Sequence, residues 1–194
     1  MVEVIEPDIC VIGAGSGGLS VAAAAAQFGV DVVLIEKAKM GGDCLNYGCV
    51  PSKAMIASAK CAQSMRDAGR FGIAAVQPRV DPAGVHDHVK GVIAAIAPHD
   101  SVERFTGLGV HVIEAPGKFI DARTVEAGDY RIRARRFVVS TGSSPGTPPI
   151  PGLDKVPFDT NETIFDNKKA IDHLMVIGGG PIGMELAQAH RRLG

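Results

Sequence analysis

The feature that most constrains the fold is a short apolar run that leads through a glycine-rich turn into a helix-forming run and a second apolar run. In order, these are DICVI (8–12), GAGSGG (13–18), LSVAAAAAQF (19–28, followed by Gly29) and DVVLI (31–35, followed by Glu36). The pattern predicts strand, turn, helix and strand. Two strands joined by a crossover helix lie parallel, so we expect an α/β protein built on a parallel sheet.

The glycines of the turn have the spacing G-x-G-x-x-G, at Gly13, Gly15 and Gly18. In this context the first glycine allows a tight turn, the second lets the backbone approach a pyrophosphate, and the third lets the helix pack on the strand. A pyrophosphate would bind at the helix N-terminus. Glu36, 18 residues after Gly18, is placed to accept hydrogen bonds from a ribose. The alternative is a glycine-rich turn that binds nothing, which the strand–turn–helix context makes the weaker interpretation.

The last 22 residues, HLMVIGGGPIGMELAQAHRRLG, repeat this pattern with Gly178, Gly180 and Gly183. We expect a strand at 174–177 and a helix from Pro181 to Leu193. The acidic or basic residue expected after the second fingerprint is not among these 194 residues. Two fingerprints imply two dinucleotides. The predicted organisation is a dinucleotide-binding domain (1–150), a proline-rich connector (151–170) and the first strand, turn and helix of a second dinucleotide-binding domain (171–194).

The intervening sequence predicts two helices followed by β structure. One helix should run from Pro51 to about Ala68, and a second from Asp81–Pro82 to Pro98. Strands are expected at 110–114, 117–121 and 137–141, and a hairpin around Gly128-Asp129 within 123–134. The β-hairpin should add a layer to the parallel sheet.

Two of the four cysteines, Cys44 and Cys49, stand five positions apart. They could form a structural disulfide, half of a zinc site, or a redox-active thiol pair. Neither Cys10, in an apolar strand, nor Cys61, far along a helix, completes a zinc ligand set. Few cysteines in a chain of this size favour a reducing compartment. A redox pair fits best, because the dipole of the helix predicted at Pro51 and the charge of Lys53 would stabilise a thiolate at Cys49.

Composition excludes other classes of function. A net charge of −1 gives no electrostatic reason to bind nucleic acid or an acidic membrane surface. No apolar run reaches the ~18 residues that a membrane-spanning helix needs. The acidic start MVEVIEPDICVIG does not resemble a secretory signal, so a cytoplasmic protein is expected. The sequence HDH (86–88) is interpreted as an exposed polar face rather than a metal site.

Four motifs, in order, carry a family resemblance: GAGSGG, GGDCLNYGCVPSK (41–53), STGSSP (140–145) and GGGPIGMELA (178–187). They resemble the N-terminal part of the pyridine nucleotide–disulfide oxidoreductases, which include dihydrolipoamide dehydrogenase, mercuric reductase and glutathione reductase. The resemblance implies a Rossmann-like FAD-binding domain and the start of an NAD- or NADP-binding domain. It also implies a small-molecule or protein-bound disulfide substrate, and a homodimer at full length.

The resemblance assigns roles to residues. Cys44 would be the thiol that attacks substrate, and Cys49 the thiol beside the flavin. Lys53 would approach the flavin and pair with Glu185, and both are counted with the cysteines as catalytic. Gly178, Gly180 and Gly183 would bind the nicotinamide dinucleotide. The expected FAD-binding residues are Gly13, Gly15, Ser16, Gly18, Glu36, Lys37, Gly42, Asp43, Cys44, Cys49, Lys53, Gly117, Thr141, Gly142 and Ser143.

The sequence departs from the family pattern at Asp43, where members usually have threonine; an acid here would disfavour a thiolate at Cys44. Family members are more than twice as long, so the 194 residues alone are expected to be inactive. Pro-Ser-Lys after Cys49 resembles dihydrolipoamide dehydrogenase or mercuric reductase more than glutathione reductase, and of these we expect an enzyme like dihydrolipoamide dehydrogenase. The alternatives are an enzyme like mercuric or glutathione reductase, and a flavin-binding redox sensor without turnover. The choice between NAD and NADP stays open.

Overall fold

The computed structural model describes residues 2–194, which form two compact units. The first comprises the chain through Asn46 together with Ala95–Ser144, and the second comprises Tyr47–Ala94 and Pro145–Gly194. The strands are β1 Glu3–Ile5, β2 Ile9–Ile12, β3 Val32–Glu36, β4 His111–Glu114, β5 Lys118–Asp121, β6 Thr124–Ala127, β7 Tyr130–Ile132 and β8 Arg136–Val139. The helices are α1 Ser16–Gln27, α2 Gly42–Asn46, α3 Cys49–Arg66, α4 Pro82–Ile96, α5 Val102–Gly107 and α6 Pro181–Leu193.

The first unit contains a parallel sheet of strand order β4-β3-β2-β8, which confirms the predicted parallel pairing of β2 and β3. Both faces of this sheet are buried. Val11 and Leu34 pack on one face with Leu19 of α1 and Phe105 of α5. Successive strand residues alternate between faces, so Cys10, Ile12, Val33 and Ile35 form the other cluster with side chains of the second sheet. Burial on both faces explains why the strands are continuous apolar runs.

A second sheet in the same unit has the order β1-β7-β6-β5. Strands β5, β6 and β7 are antiparallel, and the predicted hairpin turns at Gly128, whose φ is +56°. This sheet confirms the predicted hairpin layer. Strand β1 pairs parallel to β7 and was not predicted, because three residues flanked by acids carry too little periodic signal. The short helices α2 and α5 were missed for the same reason.

The second unit is built on α3, which packs along α6, and on a buried cluster that α4 and the 164–166 turn complete. Small residues on α3 let the helices approach closely. Helix α3 begins at Cys49, two residues before the predicted start, and Pro51 lies in its first turn, where proline is tolerated. The buried members of the cluster are Ala54, Met55, Ala59, Val89, Ile164, Phe165 and Ala189.

The strand predicted at 174–177 is wrong: this run forms no ladder with any segment of residues 2–194. Its four apolar side chains are 38–77% exposed. A strand satisfies its backbone groups through a neighbouring strand, and the second unit contains none among the described residues. Helix α6 forms as predicted, because its backbone hydrogen bonds are internal and α3 covers one side. None of the described helices is long and apolar enough to cross a membrane.

Candidate functional site

The glycine-rich turn after β2 is shaped by close backbone contacts. Gly13 has a φ of +102°, and its N–H donates to the carbonyl of Ile35 at 2.8 Å. A Cβ at Gly13 would lie 2.2 Å from the carbonyl oxygen of Ser140. A Cβ at Gly18 would lie 1.9 Å from the carbonyl oxygen of Gly13. Only glycine fits at either position, so the first and third glycines of the fingerprint serve the turn itself.

The second glycine of the fingerprint differs, because it borders open space. Gly15 is the N-cap of α1 with ordinary extended angles (φ −78°, ψ −178°), and no side chain of the described residues caps the helix there. A Cβ on Gly15 would meet only the Cα of Gly42, at 3.9 Å. Uncapped N–H groups at a helix N-terminus, with room in front of them, can bind an anion. Ser16, the first residue of α1, stands at the same end.

Glu36, at the end of β3, is tied to this turn. Its Oε2 accepts from the N–H of Ala14 at 2.6 Å, and its Oε1 accepts from the N–H of Ala38 at 2.8 Å. These contacts hold the carboxylate at the sheet edge. Each carboxylate oxygen can accept a second hydrogen bond, so Glu36 retains the capacity to bind ribose hydroxyls. Lys37 follows it and is exposed.

The segment that carries Cys44 is bound directly to the turn. Gly41 and Gly15 form a parallel bridge, and the N–H of Gly41 donates to the carbonyl of Ala14 at 2.9 Å. A Cβ at Gly42 would lie 2.6 Å from the Cα of Gly15. Cys44 itself is half-buried in α2. The segment therefore places α2 against the dinucleotide-type turn.

Asn46 stabilises this segment and was not predicted as a site residue. Its side-chain amide donates to the carbonyls of Met40 at 3.1 Å and of Gly42 at 2.9 Å. The buried side chain of Leu45 fills the space beside Gly41. The signal that could have found Asn46 is an asparagine inside a glycine-rich loop, where its side chain commonly bonds nearby backbone groups. Asp43, by contrast, is exposed.

The remaining predicted FAD-binding residues of the first unit lie at the same edge. Ser140 continues from β8, and its N–H donates to the carbonyl of Ile12 at 2.8 Å. It leads directly into Thr141, Gly142 and Ser143. A Cβ at Gly117 would contact the side chains of Ile12 and Ile35 at 3.4–3.5 Å. The carboxyl ends of β2, β3 and β8 thus gather the glycine turn, Glu36, the Cys44 segment and these residues, where open α/β sheets bind ligands.

The second unit holds Cys49, Lys53, Glu185 and the second fingerprint. Cys49 is the exposed first residue of α3, with Gly48 as the N-cap and no acid in the first turn. The Nζ of Lys53 lies 2.5 Å from Oε2 of Glu185 on α6, which confirms the predicted pair. Their side chains are 59% and 42% exposed, so solvent reaches both members of the pair.

The second glycine turn repeats the backbone shape of the first. Gly178 has a φ of +113°, against +102° at Gly13. A Cβ at Gly183 would lie 2.2 Å from the carbonyl oxygen of Gly178, the counterpart of the Gly18–Gly13 contact. The N-cap Gly180 is extended (φ −74°, ψ 176°), as Gly15 is.

The other two cysteines are set apart from this chemistry. Cys10 is fully buried in β2, and burial raises the pKa of its thiol to about 12. Cys61 is exposed on α3. Among residues 2–194, no group of three or more His, Cys, Asp or Glu side chains is arranged to hold a metal ion.

The sequence and the fold of this chain are similar to those of known proteins. The chain is 36% identical over 193 residues to the mercuric reductase of Streptomyces lividans and 37% identical over 201 residues to the dihydrolipoyl dehydrogenase of Halobacterium salinarum. Each alignment covers 96% of this chain but only 41% and 40% of the relative. The HOCl-induced flavoprotein disulfide reductase RclA of Escherichia coli superposes with a TM-score of 0.81 at 25% identity, over 96% of this chain and 40% of that one.

The predicted architecture is confirmed: the parallel sheet with its helices matches the FAD-binding, Rossmann-like domain of disulfide reductases. The sequence profile described as pyridine nucleotide-disulphide oxidoreductase matches residues 7–194, nearly the whole chain. The chain therefore belongs to the pyridine nucleotide-disulphide oxidoreductase family.

Proposed function

We propose that this chain is the FAD-binding part of a disulfide oxidoreductase that passes electrons between NAD(P)H, FAD and the Cys44–Cys49 pair. Residues 1–150 are the proposed FAD domain, 151–170 the connector, and 171–194 the opening of the NAD(P)-binding domain. The observation that carries the proposal is the bridge between Gly15 and Gly41. It joins a dinucleotide-type turn to the segment bearing Cys44.

The residues at the edge of the parallel sheet fit a bound FAD. The pyrophosphate would take the uncapped N-terminus of α1 beside Gly15, and a ribose would donate to Glu36. When bound, FAD supplies a two-electron carrier. The remaining proposed contacts come from Ser16, Lys37, Gly42, Asp43, Gly117, Thr141, Gly142 and Ser143.

The cysteines supply the disulfide chemistry. Two electrons and two protons convert a Cys44–Cys49 disulfide into two thiols. Cys44 would then attack a substrate disulfide, form a mixed disulfide, and be released when Cys49 re-forms the internal disulfide, which leaves the substrate as two thiols. Cys49 is the first residue of α3, and Lys53 follows it one turn further along the same helix. Glu185 would act by holding Lys53.

FAD binding can be tested at Gly15, because a Cβ there would meet no atom closer than 3.9 Å, the backbone angles are ordinary, and aspartate caps helices well. Gly15→Asp would place a negative charge where the pyrophosphate is proposed to sit. We expect the FAD affinity to fall on the order of 100-fold, from charge repulsion near the protein surface, with the unfolding midpoint unchanged or higher. Gly15→Asn, an uncharged residue of the same shape, is the matched control, and its FAD affinity should fall by less. Equal FAD affinities of Gly15→Asp and the wild type would refute the proposed cofactor site.

The thiol pair has its own test. After mild oxidation, an alkylating reagent followed by peptide mass spectrometry should find Cys44 and Cys49 protected together. In Cys44→Ser, Cys49 should stay reactive under the same oxidation, while Cys61 reports general oxidation. Independent protection of the two thiols would contradict a redox pair.

Within the family, we propose an enzyme like dihydrolipoamide dehydrogenase, a homodimer of the cytoplasm at full length. The dihydrolipoyl dehydrogenase of Halobacterium salinarum supports this choice, but the mercuric reductase of Streptomyces lividans is equally similar and makes mercuric reduction the second candidate. Assaying the FAD-loaded product of the whole gene with lipoamide and with Hg²⁺, each with NADH and with NADPH, separates the two and identifies the nicotinamide nucleotide. If neither substrate is turned over, the result favours the remaining alternative, a flavin-binding redox sensor without turnover.

A further inference from the structure

A small cavity in the second unit plays no part in the proposed redox chemistry. It lies among α3, the first turns of α4, the segment 164–171 and the end of α6, and its volume is about 120 Å³. An enclosed engineered apolar cavity of about 150 Å³ binds benzene, so a volume of about 120 Å³ is of the order that a single small ring needs. Its walls are mostly apolar, including Met55, Val85, Val89, Ile164, Phe165 and Leu193. We call it the histidine cavity, because His86 and His190 also line it.

The contact with Asp87 places a hydrogen on Nδ1 of His86. Its side chain is only 8% exposed, so the exposed face predicted for residues 86–88 is wrong for His86 and holds for Asp87 and His88. Nδ1 of His86 lies 2.9 Å from Oδ1 of Asp87. The hydrogen bond from His86 lowers the pKa of Asp87; desolvation opposes this and the positive charge of Lys168 adds to it, so this carboxyl is ionised at neutral pH. An ionised carboxylate can only accept, so Nδ1 of His86 carries the hydrogen. In the neutral ring, Nε2 is then a hydrogen-bond acceptor.

The Nδ1 atom of His190 also lies beside a group that can only accept a hydrogen bond. Its Nδ1 lies 2.9 Å from the carbonyl oxygen of Leu186, which also can only accept. In contrast, the side chain of Asn167, another polar group of the wall, is already bonded at both ends to the backbone of Lys169, at 3.0 Å each. The histidine cavity therefore combines mostly apolar walls with two imidazoles whose Nδ1 atoms already have an acceptor as partner.

We propose that the histidine cavity binds a small neutral aromatic molecule that carries a hydroxyl group, with phenol as the simplest member. The ring would pack among the apolar walls, and the hydroxyl would donate to Nε2 of His86. A transition metal fits less well, because two imidazoles alone make an incomplete ligand set and most of the remaining wall is apolar. The proposal is independent of the flavin and of the thiols.

The test is a titration of the FAD-loaded product of the whole gene with phenol and with toluene, which has nearly the same size but no hydrogen-bond donor. The methyl resonance of Met55, followed by NMR, reports on the wall itself. We expect saturable shifts with both ligands and an affinity for phenol about 3- to 10-fold higher, the usual net effect of one hydrogen bond. His86→Gln should remove most of this preference, whereas His88→Gln, an exposed position on the same helix, should keep it.

A second variant keeps the proposal falsifiable if His86→Gln unfolds the chain. Val85→Phe fills the cavity and should abolish binding of both ligands while the circular dichroism spectrum is kept. Equal affinities for phenol and toluene in the wild-type chain would overturn the assigned hydroxyl recognition. Absence of saturation, or saturation that Val85→Phe leaves unchanged, would overturn the site. Binding of Ni²⁺ that both His86→Gln and His190→Gln abolish, without any binding of phenol, would assign the cavity to a metal instead.

Discussion

Replacing Gly18 by alanine tests whether the glycine-rich turn is held by its own backbone contacts. The new Cβ would lie 1.9 Å from the carbonyl oxygen of Gly13 and 3.1 Å from Cγ1 of Val11. The nearer obstacle is backbone, which no side-chain rotation can relieve, so the turn and the start of α1 must separate. The neighbouring Gly17 is a matched control, because its Cβ would meet only the hydroxyl of Ser140, at 3.9 Å.

Two opposing effects determine the size of the change. Alanine in place of glycine stabilises a helix by up to about 1 kcal/mol. Overpacking typically costs about 1–3 kcal/mol, and the contact with the carbonyl of Gly13 places Gly18→Ala at the upper end of that range. We therefore expect Gly18→Ala to lower the free energy of unfolding by about 2 kcal/mol. Gly17→Ala should leave it unchanged or raise it by up to about 1 kcal/mol.

Urea unfolding of the two variants measures the difference directly. With a denaturant slope of about 1–3 kcal/mol per molar urea, the two midpoints should differ by roughly 1–3 M. The FAD affinity of Gly18→Ala should fall as well, because the displaced helix start moves the N–H groups beside Gly15. A midpoint for Gly18→Ala at or above that of Gly17→Ala would refute the backbone contact as the reason for glycine at this position.

Three further changes test other contacts. Glu36→Gln replaces one acceptor oxygen by an NH₂ group and leaves the N–H of Ala14 or Ala38 without its partner. The unfolding free energy should therefore fall by about 1–3 kcal/mol, as measured by urea unfolding. Glu114→Gln, at the exposed end of β4, is the control and should change it little. Lys53→Met should lower it by no more than about 1 kcal/mol, because the Lys53–Glu185 pair is largely exposed; a larger loss, or one that persists in high salt, would contradict a surface ion pair. Alkylation at pH 8 should modify Cys61 and leave Cys10 unmodified until urea unfolds the chain. The reason is that Cys10 is fully buried, and burial raises the pKa of its thiol to about 12. Labelling of Cys10 in the folded chain would contradict its burial.

The sequence could predict those features of the fold whose interactions are local or whose apolar pattern is strongly periodic. The β2–α1–β3 unit, the hairpin at Gly128 and the course of α3, α4 and α6 follow from apolar runs and turn residues. Strand β1 depends on β7, a partner distant in sequence. The contacts of Asn46 rest on two side-chain hydrogen bonds that leave no periodic signal in the sequence. The histidine cavity belongs to this second class, because it is lined by residues more than 100 positions apart.

The two fingerprints separate what sequence determined from what tertiary structure decided. Both glycine turns take the same conformation, although only the first follows a strand. Their positive φ at the first glycine and the contact between first and third glycines lie within six residues, so sequence alone specifies them. The apolar runs before the turns behave differently. Ile9–Ile12 is a strand because β3 and β8 flank it, whereas the run at 174–177 has no neighbouring strand within residues 2–194. A strand is completed by hydrogen bonds from other segments, and only the tertiary structure supplies them.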